Sequence, residues 1–359
     1  MKKGYDFYSK YVNAFSELLL DLQEREVDTK RIDVCANKIR FVSIAKALEK
    51  YKTVEALSAK IGIDIELLSD TNDHTKMIAC VEGVPYLLGR SSWISISGRI
   101  DIYGGGLAAL EPDDKAQLIN ARLAQLGDNL IKVVIVNQKI RAMMSRKYAT
   151  IPANEVFKQV AEKARERFAS TKFVTGFYNH EFAFAQLMFP EVAQKLSEAY
   201  GLPEELTPGI TVITSDTGHA GVKIVGSWVS PKGRFQQAGT EVYLRHENSN
   251  SLEKVLEELP NLFIKYQNMA LKLAALMGIE IKFPATVLKK ALKELGAGER
   301  NAKMLLETLP TNDVTAYDIC MELFSLPARL DIAETSRLEL EEKIAKAINL
   351  DFTKLDNDK

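Results

Sequence analysis

What most constrains this chain is a change of grammar along its length. From about Lys76 to His246, short runs of β-branched and aromatic residues alternate with turn residues; beyond Ser251 such runs almost vanish and helical spacing takes over. Strand candidates lie at 77–81, 86–88, 93–96, 131–136, 140–148, 173–178, 182–189, 210–215, 222–229 and 240–246. Turn residues at Glu82-Gly83, Asn137-Gln138, Asn179-His180 and Asp216-Thr217-Gly218 favour hairpin connections. Helical spacing interrupts the region at 114–126, 153–168 and 190–200. The pattern predicts an α+β fold whose central domain, 76–250, is β-rich and mainly antiparallel.

The flanks are helical. Residues 1–75 open with Tyr8, Tyr11, Phe15, Leu18, Leu19 and Leu22 at helical spacing, an amphipathic docking helix, followed by a short strand at 32–34 and short helices. Residues 251–350 predict helices at 252–277, bent at Pro260, and at 285–295, 300–309, 314–324 and 334–348, with Gly296, Gly298, Pro310 and Pro327 as stops. The polar tail 351–359 is expected to fray.

At 359 residues the chain exceeds one average domain, and 46% hydrophobic with 26% charged content excludes a disordered or collagen-like chain. Cys35, Cys80 and Cys320 are odd in number and widely spaced, so neither a disulfide framework nor a thiolate metal site is indicated. Polar residues interrupt any signal-peptide core, and no apolar run approaches the ~20 residues of a membrane span. The expectation is a soluble, cytoplasmic, unprocessed protein.

A net charge of −1 excludes a global polyelectrolyte, so any affinity for nucleic acid is local. Residues 131–172 hold ten Lys and Arg against three Glu. Read as a strand, 139–148 sends Lys139, Arg141, Ser145 and Lys147 to one face and Ile140, Ala142, Met144 and Tyr148 to the other. Lys139, Arg141, Arg146 and Lys147 would form a cationic patch for a phosphate backbone, with Tyr103, Tyr148, Phe177 or Tyr178 for base stacking. The same ladder reads equally as a solvated strand face. In the following helix Glu155, Glu162 and Glu166 offset part of the charge.

Residues 53–68 imitate a DNA-binding helix-turn-helix around Gly62. The second helix would present Asp64, Glu66 and Asp70 to a phosphate-lined groove, so an ordinary helical packing unit is expected instead. For catalysis, His74, His180, His219 and His246 show no metal-ligand spacing, and no metal or cofactor is expected. The richest polar cluster is Thr214, Ser215, Asp216, Thr217, Gly218 and His219, joined at a later strand end by Arg245, His246, Glu247 and Asn248. It holds the ingredients of a nucleophilic triad without a Gly-x-Ser-x-Gly elbow, and reads equally as a hairpin turn capped by its side chains. The triple glycine at 104–106 lacks the Lys-Ser/Thr of a phosphate-binding loop and reads as a flexible turn.

Two stretches, Arg141 through Ser145 and Tyr148 to Asn154, and 315–324, resemble the phage- and plasmid-associated family called domain of unknown function 932. Its pattern of an Arg, a Leu-Ser-x-x-Tyr and an Asn opening a helix falls on Arg141, Ser145, Tyr148 and Asn154, with Met144 for the usual Leu. Ser215, Gly218 and His246 match further positions, and Gly62-Ile63-Asp64 resembles a Gly-Leu-Asp that would make 63–67 extended. The resemblance spans roughly 32–350 and implies a mobile-element protein. Three roles follow as expectations. The first is binding of nucleic acid, single-stranded DNA favoured, possible as a homo-oligomer in DNA metabolism. The second is an enzyme on a phosphorylated or nucleotide substrate, with Ser145, Tyr148, Asn154, Ser215, Asp216, His219 and His246 in one cleft. The third is a scaffold or inhibitor that meets a host protein through its terminal helices, and no role expects a membrane partner.

Overall fold

The structure, a computed structural model, describes residues 3–103, 106–246 and 252–357. It is a mixed α/β fold with helices near the N-terminus, two sheets in the middle and a helical C-terminal region. The chain opens with β1 (Ser9–Val12), α1 (Phe15–Val27), β2 (Thr29–Cys35), β3 (Ile39–Ser43), α2 (Ile44–Tyr51), α3 (Val54–Ile61) and α4 (Ile65–Asp73). There follow β4 (Met77–Val81), β5 (Val84–Leu88), α5 (Ser92–Ile100), α6 (Gly106–Ala109), α7 (Pro112–Leu126), β6 (Leu130–Val136), β7 (Lys139–Ser145) and α8 (Ala153–Arg167). Next come β8 (Lys172–Asn179), β9 (Ala183–Met188), α9 (Pro190–Tyr200), β10 (Thr207–Thr214), β11 (Val222–Ser230), β12 (Gly233–Gln236) and β13 (Val242–Leu244). The helical part comprises α10 (Leu252–Met277), α11 (Pro284–Glu294), α12 (Ala302–Leu306), α13 (Ala316–Arg329), α14 (Glu334–Ile344) and α15 (Phe352–Asn357).

One sheet has six strands in the order β2-β6-β7-β5-β4-β3. Its pairs are antiparallel except β5 with β7, which run parallel. It is covered on both faces. Ile44, Leu57, Ile63 and Leu68 from the helical segments of 44–73 pack on Ile78 and Leu87. Ile96 and Ile100 of α5 and Ile119 and Leu123 of α7 pack with Phe41, Leu88 and Met143. The other sheet runs β1-β8-β9-β10-β11-β12, with β13 also on β11, and its pairs are antiparallel. Val212, Ile224 and Trp228 face a large core with Leu18 of α1, Phe157 of α8, Tyr266 of α10 and Phe324 of α13.

Because β2 and β3 join the sheet of β4 to β7, the expected boundary near residue 75 falls inside a sheet. The N-terminal helix is also shorter than expected: residues 9–12 pair with β8, and the helix begins at Phe15. Residues 93–96 are helical, not a strand, because Ile96 and Ile100 are one turn apart and both bury against the sheet. Pro327 lies within α13 rather than ending it. The tail is ordered as α15, with Phe352 and Leu355 buried and the Asp356 carboxylate accepting from Lys282 N and Phe283 N, at 3.0 and 2.8 Å, ahead of α11.

The helix-turn-helix imitation is a packing unit. Thr53 and Asp64 cap α3 and α4, and Gly62 turns between them in the left-handed region at φ 68°. The extended 63–67 implied by the family resemblance is overturned, since Asp64 Oδ1 accepts from Glu66 N and Leu67 N and opens α4 there. No helix among the described residues is long and apolar enough to cross a membrane.

Candidate functional site

The expected cationic ladder on β7 divides into a buried part and an exposed part. Lys139 and Arg141, 0% and 1% exposed, are sealed beneath the N-terminal segment. Arg141 Nη1 donates to Asp6 Oδ1 at 2.7 Å and Nη2 to the Gly4 carbonyl at 2.6 Å. Lys139 Nζ bonds Asp70 and lies 3.4 Å from Asp6 Oδ1. Burial lowers the pKa of both cations, and Asp6 and Asp70 oppose that shift, leaving Arg141 at about 10. This overturns the solvated strand face: β7 is an interior strand, and the face holding the two cations is covered by carboxylates rather than water. Asp6, Asp70 and His74 bring ligand-type atoms within 4.8 Å of one another, but the Lys139 ammonium lies on both carboxylates, where a metal ion would compete with it.

Farther along, the chain leaves the sheet and the remaining residues surface in a cleft. A cavity of about 760 Å³ opens between the two sheets. Ile94, Ser95, Gly98 and Arg99 of α5 form one wall; Met143, Met144, Ser145, Lys147 and Tyr148 form the floor. Gly218, Ala220 and Gly221 from the loop after β10, with Tyr243, Arg245 and His246 from β13 and its end, form the other wall. Arg99, Lys147 and Arg245 thus bring three cations to one cleft, and no carboxylate lines it among the described residues. Arg146 is exposed beside it in sequence.

The walls are fastened together by the polar loop 215–219. The Tyr148 hydroxyl donates to the Ser215 carbonyl at 3.1 Å, and His219 Nε2–H donates to the Ser91 carbonyl, just before α5, at 2.6 Å. The Ser215 hydroxyl donates to the Glu181 carbonyl and accepts from Thr217 N and His219 N. Asp216 lies 3.4 Å from Arg25. Ser215, Asp216 and His219 therefore hold the loop and form no relay of nucleophile, base and acid. Gly218 meets a need for φ of 78°, and a Cβ there would sit 3.0 Å from Met144 Sδ on the cleft floor.

His246 is different. Its ring stacks on Tyr148 at 5.0 Å, and Nδ1–H donates to the Ala149 carbonyl at 3.1 Å. Nε2 is buried with no hydrogen-bond partner, as are Asp216 Oδ1 and Asn154 Oδ1. An unpaired buried acceptor costs about 1–3 kcal/mol. Desolvation lowers the His246 pKa, so the neutral ring with its lone pair on Nε2 is the form present at neutral pH. Burial likewise raises the Tyr148 pKa, keeping its hydroxyl a donor.

Of the expected site residues, Ser145, Lys147, Tyr148 and His246 line the cleft, while Ser215, Asp216 and His219 brace it from behind. Asn154, in the first turn of α8, does not line it, and Lys139 and Arg141 are in the buried network. Phe177 and Tyr178 are buried, which removes them as stacking faces; Tyr103 is 74% exposed. Glu247 and Asn248 lie outside the described residues, as do two of the three glycines at 104–106. Sequence reasoning missed Arg99, which follows the strand expected at 93–96, and Tyr243, 56% exposed, within the strand expected at 240–246. No protein-family model, curated protein or solved structure matches the chain.

Proposed function

We propose that the cleft between the two sheets binds the phosphate backbone of a single-stranded nucleic acid, holding about one nucleotide unit at a time. The observation that carries this reading is the convergence of Arg99, Lys147 and Arg245, from three separate segments, on a cleft whose described lining holds no carboxylate. Cations converging on one cleft favour a polyanion, and a strand passing over them displaces counterions from its phosphates. Tyr243 supplies an exposed ring on which a base can stack. The cleft is compact, which suits a single strand reaching in with one unit better than a duplex lying across it.

A second reading, an enzyme or binder for a free phosphorylated nucleotide, is favoured by the volume, which falls within the ~300–1,000 Å³ of small-molecule sites. A phage or plasmid setting belongs to the proposal as well; it rests on the short motif resemblance, of which Ser145, Tyr148 and His246 reach the cleft. Fluorescence anisotropy with labelled single-stranded and duplex oligonucleotides, and with free nucleotide as competitor, tests the reading. Saturable single-strand binding that weakens at least tenfold in Arg99→Ala/Lys147→Ala supports it. Equal binding by that variant, or no binding at low salt, contradicts it.

A further inference from the structure

We infer that β2 is a dimerisation edge: it pairs antiparallel with β2 of a second copy, about a two-fold axis at Ile32, and joins two six-stranded sheets edge to edge. None of its residues lines the cleft. β2 ends its sheet and pairs on one side only, with β6. Ala36 N donates to the Asn129 carbonyl at 3.0 Å, in line with the register that sets Thr29 opposite Val136 and Cys35 opposite Leu130. Hydrogen-bonded and non-hydrogen-bonded pairs alternate along an antiparallel ladder. Lys30, Ile32 and Val34 therefore direct their backbone groups at β6, and Thr29, Arg31, Asp33 and Cys35 turn theirs outward. Among the described residues, nothing accepts from the outward N–H groups of Arg31 and Asp33 or donates to their carbonyls. The opposite edge of the same sheet is capped. Asn120 of α7 accepts from Phe41 N at 2.7 Å and donates to the Phe41 carbonyl at 2.8 Å, midway along β3.

Charges on an edge strand ordinarily keep a second copy away, but those of β2 are self-complementary about Ile32. With the axis there, the whole strand pairs. Arg31 faces Asp33 of the second copy on both sides of the axis, and Thr29 faces Cys35, all through outward backbone groups. On the other face Ile32 meets Ile32 of the second copy, beside the core that holds Val34 and Val133. Moving the axis to residue 31 or 33 sets Arg31 against Arg31 or Asp33 against Asp33, a like-charge pair at the centre. Asp33 is exposed and makes no ion pair among the described residues. Glu26 already holds the Arg31 guanidinium through Nη1 and Nη2 at 2.6 and 2.7 Å, so the charge match sets register more than it adds affinity. The same patch serves on both copies, so the assembly closes at two.

Analytical ultracentrifugation of the full chain over a concentration series is the test. One strand pair is small beside an obligate interface, so a monomer–dimer equilibrium in the micromolar range is expected, with no larger species. Asp33→Pro removes an outward N–H and keeps the bonds to β6; it is expected to stay monomeric at every concentration. Asp33→Lys, at the same exposed site, sets a lysine against Arg31 twice and is expected to weaken the dimer by about tenfold or more. Ile32→Cys brings two thiols to the axis, where Cα atoms of a non-hydrogen-bonded pair lie ~4.5 Å apart. It is expected to give a disulfide-linked dimer under mild oxidation that the wild type does not give. A wild-type protein that stays monomeric overturns the inference and leaves the edge to an extended segment of another protein. A dimer undiminished in both Asp33 variants overturns it too, because the interface then lies elsewhere. A dimer whose Ile32→Cys form does not cross-link overturns the axis at Ile32. Should Asp33→Pro fail to fold, Asp33→Lys decides in its place.

Discussion

Arg141 and Lys147 lie six positions apart and carry the same charge, but their surroundings give them opposite roles. Arg141→Ala would leave Asp6 buried without its closest cation, and we expect a loss of about 3–5 kcal/mol in urea unfolding, as for a broken buried ion pair. Lys147→Ala is expected to change stability by no more than about 0.5 kcal/mol and to act on binding instead. The alternation that paired the two residues was legible in the sequence. That Asp6, far away along the chain, would cover one of them was not, because a strand pattern reports which residues share a face and not what lies over it. His180 gives a second residue-scale prediction. Burial and the nearby Arg141 hold its pKa well below the ordinary 6.5, so the unfolded state binds more protons between that value and the folded one. Stability should therefore fall as pH drops below about 6.5, by up to ~1.4 kcal/mol per unit for this group. The fall between pH 7 and pH 5, measured by urea midpoints, should be smaller in His180→Gln; an identical pH dependence in the two proteins would refute the assignment.

Among the elements, strands bounded by clear turns were legible: β4, β6 and β8 to β11 follow the apolar runs closely. The misreadings have local causes. In α5, isoleucines at 94 and 96 imitate β alternation, but the buried pair is Ile96 and Ile100. Arg99 lies beyond the strand expected at 93–96, and the helix, continuing to Ile100, carries it to the cleft wall. The C-terminal tail looked too polar to order, yet Phe352 and Leu355 supply an anchor and Asp356 supplies acceptors for two backbone N–H groups ahead of α11. Removing residues 351–359 is expected to cost at least about 3 kcal/mol, the scale of deleting one large buried side chain, and to lower the melting temperature. An unchanged melting temperature would mean that α15 is not docked on α11.

On the scale of the whole molecule, the cleft lies where two sheets with separate cores meet and are tied by polar contacts. His219 reaches Ser91, Tyr148 reaches Ser215, and the N-terminal segment bridges β7 and β8 through Asp6 and the bond from His180 Nε2–H to the Tyr5 carbonyl. The sequence carried the pieces of this arrangement as separate motifs. Their convergence depends on sheet order, which local pattern does not encode. The central claim, that Arg99 and Lys147 meet phosphate in the cleft, is tested most directly by the salt dependence of single-strand affinity in the wild type and in Arg99→Ala/Lys147→Ala. The account predicts that log K falls linearly with log salt, and that the double variant is shallower by about 1.4, some 0.7 for each lost phosphate contact. Parallel lines for the two proteins would contradict it, placing the phosphates somewhere other than this cleft.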